Sequence, residues 1–149
     1  MNFSIEIGPV TNLENLPKLK DVYITLLPGG DFKETAEQAE NLVKKGFNPI
    51  PHFPARSIEN ETQLKEYVSR CKDGGTKQVL VIGGSRDPIG DFDSSIQLLE
   101  TGYFENLRIG IAGHPEGSPD ISDSKLEKAM NDKKPYADYI VTQWLLDPQ

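Results

Sequence analysis

The chain reads as an α/β fold built on a parallel sheet, and three observations predict it. Short apolar, β-prone runs alternate with segments of helical period. Each run ends abruptly in Gly, Pro or polar residues. Single helices between consecutive strands bring the chain back to the same edge, so those strands run parallel. The 149 residues suit one domain, taken as residues 1–149, and suffice to bury a real core. Two architectures satisfy this order. A doubly wound open sheet closes comfortably in this length, whereas a (β/α)8 barrel takes ~250 residues, leaving this chain six of eight strands. Pattern alone slightly favours the open sheet.

The elements follow in order. Ser4-Ile5-Glu6-Ile7 alternates, which predicts a first strand over 3–7. The connection over 8–20 is thin, with a helical turn or two expected over 12–19. A strand is expected over 21–27. Asp31 then caps a helix with Glu34 three residues on; Ala36, Ala39, Leu42 and Val43 form its apolar face and Gly46 closes it. After a strand over 47–50, Asn60 and Gln63 open a second helix carrying Leu64, Tyr67, Val68 and Cys71, stopped at Gly74-Gly75. A strand over 78–82, a short helix over 92–99 and a strand over 107–112 come next. Ser124 with Glu127 starts the last helix, bearing Leu126, Ala129 and Met130, before a strand over 139–146.

Composition excludes several classes. A net charge of −7 argues against nucleic acid, which needs a basic footprint. No apolar run approaches the ~20 residues of a membrane helix, and Met1 to Glu6 shows no secretion signal. The single Cys71 rules out an internal disulfide and fits a reducing cytoplasm, where the protein is expected to reside. Two histidines and one cysteine are too few and scattered for a metal site, so none is expected. Neither a Ser-His-Asp order nor a nucleophile elbow is present.

The carboxyl ends of parallel strands are where ligands bind in such folds. Here they carry Glu6, Leu27-Pro28-Gly29-Gly30, His52 with Arg56, Gly83-Gly84-Ser85-Arg86-Asp87, His114-Pro115-Glu116 and Thr142-Gln143. Glu6 is either a solvated carboxylate on a frayed strand or a carboxyl aimed into an apolar lumen, with its pKa raised and fit for general-acid work. His52, between prolines, is either a structural histidine or a contact to a ligand's phosphate or ring. Arg56 is either solvated or an anion holder. Gly83-Gly84 permits close ligand approach or forms a tight turn; Gly-x-Gly-x-x-Gly is absent. Gln143, an amide in an apolar strand, contacts a ligand or pairs internally. Trp144 and Cys71 read as core.

Five of these stretches resemble, in chain order, successive motifs of one family. They are Ser4-Ile5-Glu6, Pro51-His52-Phe53, Gly83-Gly84 with its acidic turn, Gly113-His114-Pro115-Glu116-Gly117-Ser118-Pro119, and Val141-Thr142-Gln143-Trp144-Leu145-Leu146-Asp147. The family is methylenetetrahydrofolate reductase, and the likeness is closer to its short bacterial members with a Pro-His-x-x-Ala-Arg element. That resemblance implies a (β/α)8 barrel binding FAD at its carboxyl-end rim, and so the barrel over the open sheet. About six parallel βα units are expected, since a family member continues past Asp147 into two more. The implied activity is flavin-mediated reduction of methylene-tetrahydrofolate to methyl-tetrahydrofolate, with NADH or NADPH as reductant.

The resemblance also implies roles. Glu6 matches the catalytic acid that protonates the folate nitrogen. Gln143 matches a pterin contact, and Ser85 stands at the family's folate-binding aspartate position, with Asp87 two residues further on. Thr25, His52, His114, Glu116 and Ser118 match the flavin site, with Lys133 or Lys134 near the flavin phosphates. Three residues depart from the pattern: Ser85 replaces that aspartate, His114 a stacking tyrosine, and Ser118 a histidine near the adenine. The alternatives are therefore a non-redox folate-binding relative, or a fragment without a complete site. Six parallel strands leave two edges, which predicts self-association.

Overall fold

The computed structural model describes residues 3–119 and 121–142. Six strands run in chain order across one sheet: β1 (Ser4–Ile7), β2 (Asp21–Ile24), β3 (Asn48–Pro54), β4 (Gln78–Ile82), β5 (Arg108–Gly113) and β6 (Tyr139–Thr142). Every neighbouring pair is parallel. This order decides between the two architectures. A doubly wound sheet reverses its winding direction at a switch point and so covers both faces with helices. Here no reversal occurs, and right-handed crossovers put every helix on one face. The sheet curls as part of a (β/α) barrel, and the open-sheet expectation is set aside.

The covered face is the core. Ile7, Val22 and Ile24 pack against Ala39 and Leu42 of α1 (Phe32–Lys44). Phe53, Val79, Val81 and Ile111 pack against α2 (Glu61–Asp73) and α3 (Ser95–Glu100). Phe53 stacks on Tyr67 with ring centres 4.0 Å apart and meets Phe104 edge-on at 5.0 Å. Such burial is worth roughly 1.5–3 kcal/mol per large side chain. The helices start where side chains satisfy free N–H groups. Asp31 accepts the Lys33 N–H at 2.9 Å, Asn60 accepts that of Gln63 at 2.9 Å, and Ser94 and Gln97 form a capping box. The last helix, α4 (Asp123–Lys133), follows Ser122, whose side chain makes no capping bond, and it buries no residue.

Several expectations need correction, among them the second strand, which ends at Ile24 rather than 27, and the third helix, which starts at Ser95 rather than 92. The 8–20 connection holds turns but no helix: the Thr11 N–H bonds the Gly8 carbonyl, and the Gln38 amide reaches back to the Thr11 carbonyl at 2.7 Å. The last helix starts at Asp123 after Ser122, not at Ser124. The third strand runs on through Pro54, so His52 lies inside it rather than after it. Prolines discouraged that reading because each lacks a donor. Alternate N–H groups of a strand point to opposite neighbours, and Asn48 donates to the Lys20 carbonyl on the β2 side. Pro49 and Pro51 therefore lack their donors on the β4 side, where pairing begins only at His52.

Candidate active site

Alternation sends Ile5 and Ile7 to the helices, so Glu6 points to the concave face. In register beside it stands Tyr23, and His52 follows on β3 two residues past Tyr23's partner Ile50. Glu6 Oε2 lies 3.6 Å from His52 Nε2, and Tyr23 meets the imidazole edge-on with ring centres 6.0 Å apart. The first and third strands thus bring two of the expected site residues together.

Their environments differ sharply. The His52 ring is buried, and its Nε2 has no hydrogen-bond partner among the described residues. Burial pushes its pKa down from 6.5 to about 4, so the ring is neutral at pH 7. The Glu6 carboxylate would pull the other way, but its side chain is 61% exposed and water screens it. The buried setting expected for Glu6 is thus not supplied by the described residues. Behind the ring, the buried Tyr67 hydroxyl donates to the His52 carbonyl at 2.9 Å and fixes the strand. Thr25 closes the top of β2: its N–H bonds the Ile7 carbonyl at 3.0 Å, and its carbonyl accepts the Thr35 hydroxyl.

Ser85 and Asp87 sit exposed on the loop after β4. That loop is moored to the segment after β3. The Arg56 N–H bonds the Gly83 carbonyl, the Ile89 N–H the Arg56 carbonyl, and the Asp91 N–H the Glu59 carbonyl. Arg56 Nε donates to the Asp93 carbonyl at 2.9 Å, so this guanidinium holds the loop. Gly84 takes a positive φ of 96°, which favours the tight-turn reading of the glycine pair.

Around β5 a second group gathers. His114, Glu116, Lys133 and Thr142 line one cavity of about 610 Å³, walled by Leu126 and Met130 of α4. Lys133 Nζ donates to the Ala112 carbonyl at 3.4 Å, and burial lowers its pKa. Lys134 is exposed and lines a neighbouring cavity with Asp138, so of the two candidate lysines only Lys133 shares the cavity with His114. Ser118 forms an isolated bridge with Ile121 beside that loop. Gln143 lies outside the described residues.

Sequence reasoning missed the floor of the concave face. Asn48 bonds both Asp21 and Gln78, at 2.9 and 3.2 Å. From β6 the Tyr139 ring crosses Gly110 to donate to the Val79 carbonyl at 2.9 Å, under Arg108 at 5.0 Å. A Cβ on Gly110 would lie 2.2 Å from that ring. A glycine inside a strand was the available signal, since it marks close approach.

No protein-family model matches this chain. It is 26% identical to Methylenetetrahydrofolate reductase 1 of Schizosaccharomyces pombe over an aligned length of 142, covering 85% of this chain and 23% of that protein. The likeness is a distant relationship, and the chain spans under a quarter of that relative. Among solved structures, the YdjI aldolase from Escherichia coli K12 matches with a TM-score of 0.48 at 15% identity, over 85% of this chain and 44% of that one. The Amycolatopsis orientalis BexX/CysO complex matches at 0.47 and 13%, over 83% and 46%.

Proposed function

We propose that this chain carries part of the active-site rim of a flavin-dependent oxidoreductase of one-carbon metabolism. It would reduce methylene-tetrahydrofolate to methyl-tetrahydrofolate with NADH or NADPH as reductant. The observation that carries this reading is the Glu6–His52 pair, 3.6 Å apart on the concave face, in a chain distantly similar to a methylenetetrahydrofolate reductase.

The residues fit FAD on two counts. His52 offers a buried ring nitrogen without a hydrogen-bond partner among the described residues, and Lys133 supplies a cation in a cavity large enough for part of a dinucleotide. His52, Thr25 and the His114–Glu116–Ser118 loop would hold the cofactor, with Lys133 toward its phosphates. Once reduced by NADH or NADPH, a bound FAD would supply the hydride for the methylene carbon. Glu6 does the proton work: a folate lying over it would remove its water, favour the protonated form and let the carboxyl deliver its proton to the folate nitrogen. A neutral His52 helps, because an imidazolium at that distance would hold Glu6 as carboxylate. Gln143, Ser85 and Asp87 would face the pterin.

Glu6→Gln tests the assignment. It should keep its flavin spectrum and lose at least about a hundredfold in turnover, the scale of a general acid. Full activity in that variant contradicts the reading. Ser85, where the family carries an aspartate, favours one alternative, a folate-binding relative without redox activity. Calorimetry with tetrahydrofolate and no flavin distinguishes it: tight binding by a chain that never takes up FAD supports this second reading. We also propose self-association through β1 and β6, the outer strands of the sheet. A monodisperse monomer by light scattering at high concentration would contradict it.

A further inference from the structure

Tyr23 lies at the meeting point of the concave face's two halves, and nothing in the flavin reading uses it. On one side its ring stands edge-on to His52 at 6.0 Å. On the other its hydroxyl lies within electrostatic reach of Tyr139, although these residues belong to strands β2 and β6. In a flat sheet those strands would lie four spacings apart, about 19 Å. Only curling brings the two side chains together. Tyr139 is itself fixed by the Val79 carbonyl and admitted by the missing side chain of Gly110.

We propose that Tyr23 is a positioning residue: braced by Tyr139, its ring keeps the His52 imidazole covered and aimed at Glu6. The proposal rests on the reading of Glu6–His52 as the working pair, and it ties that pair to the sixth strand. Among the described residues, the groups set against His52 come from four elements. β1 contributes Glu6, β2 contributes Tyr23, β4 contributes the apolar Leu80, and α2 contributes Tyr67, whose hydroxyl is committed to the His52 carbonyl. Around Tyr23 stand Tyr139, Asp21 and Arg108. Removing the Tyr23 ring therefore admits water to His52 without adding or deleting a neighbouring charge.

The chain has two histidines, so ring resonances of His52 and His114 can be titrated separately by NMR with no flavin present. Tyr23→Ala should raise the His52 titration midpoint by roughly one to two units as desolvation is relieved, leaving His114 in place. Tyr23→Phe, which removes only the hydroxyl that Tyr139 acts on, and Tyr139→Ala should both shift it the same way as Tyr23→Ala but by less. Tyr23→Thr, with a good strand propensity, reads the same contact if the alanine variant does not fold. An unmoved His52 midpoint in a folded Tyr23→Ala or Tyr23→Thr chain overturns the proposal. This result is independent of FAD uptake, so it separates failure of the brace from failure of the flavin reading.

Discussion

The two ends of the sheet are built differently. Around β2, β3 and β4, helices α1 and α2 are capped by side chains and bury whole apolar faces, and the rings of Phe53, Tyr67 and Phe104 interlock. Around β5 and β6, α4 starts without a capping bond, fully buries no residue and leaves a cavity of about 610 Å³ between itself and the strand ends. The densely packed part holds Tyr23 and His52, with Glu6 beside them on the outer strand β1, while the open part holds His114, Glu116 and Lys133. The contrast suits a site in which reacting groups are fixed and a cofactor's bulk is received by a looser wall. Precise placement needs dense packing, and a bulky ligand needs room.

The largest expected effect breaks this contrast at its core. Phe53→Ala should cost about 3–5 kcal/mol, whereas Leu126→Ala on α4 should cost under about 1 kcal/mol. Urea unfolding of both variants measures the difference. Equal costs would mean that α4 is packed as tightly as α2.

Next comes pH. Folded His52 stays neutral down to about pH 4, while the unfolded chain takes up that proton near 6.5. Between those values the unfolded state binds more protons, so the stabilisation is full above 6.5 and lost as pH falls toward 4. The 2.5-unit gap corresponds to about 3 kcal/mol. Unfolding curves at pH 7 and 5 should show a steeper loss for the wild type than for His52→Gln. Identical slopes would place His52 in water.

The smallest effects sharpen the comparison at the helix starts. Asn60→Ala should cost about 1 kcal/mol by removing the bond to the Gln63 N–H, and Ser122→Ala close to nothing. Thermal melts of the two variants read this pair. A matching loss at Ser122 would show that α4 depends on its cap after all.

Most of the fold was legible in the sequence because local patterns carry it. The Asp31 and Asn60 caps, the 78–82 strand and the alternation that sets Glu6 opposite Ile5 and Ile7 are all read over a few neighbouring residues. What was not legible depends on partners distant in the chain. The prolines of β3 hid the placement of His52 inside a strand, since only the neighbouring strand shows which donors are dispensable. Pattern favoured an open sheet over a barrel, because winding direction is a property of the sheet as a whole. The Tyr23–Tyr139 contact spans more than a hundred residues and leaves only Gly110 as its trace. Of the candidate site, the Glu6–His52 proximity follows from register, whereas the choice of Lys133 over Lys134 required the orientation of α4.

Whether this concave rim accepts a flavin is decided by an equilibrium titration of FAD into the purified chain. Uptake should be saturable, with a shifted visible spectrum, and weakened by about tenfold in His52→Ala, the scale of one hydrogen bond. A folded chain that leaves the FAD spectrum unchanged across the whole titration would contradict the flavin reading.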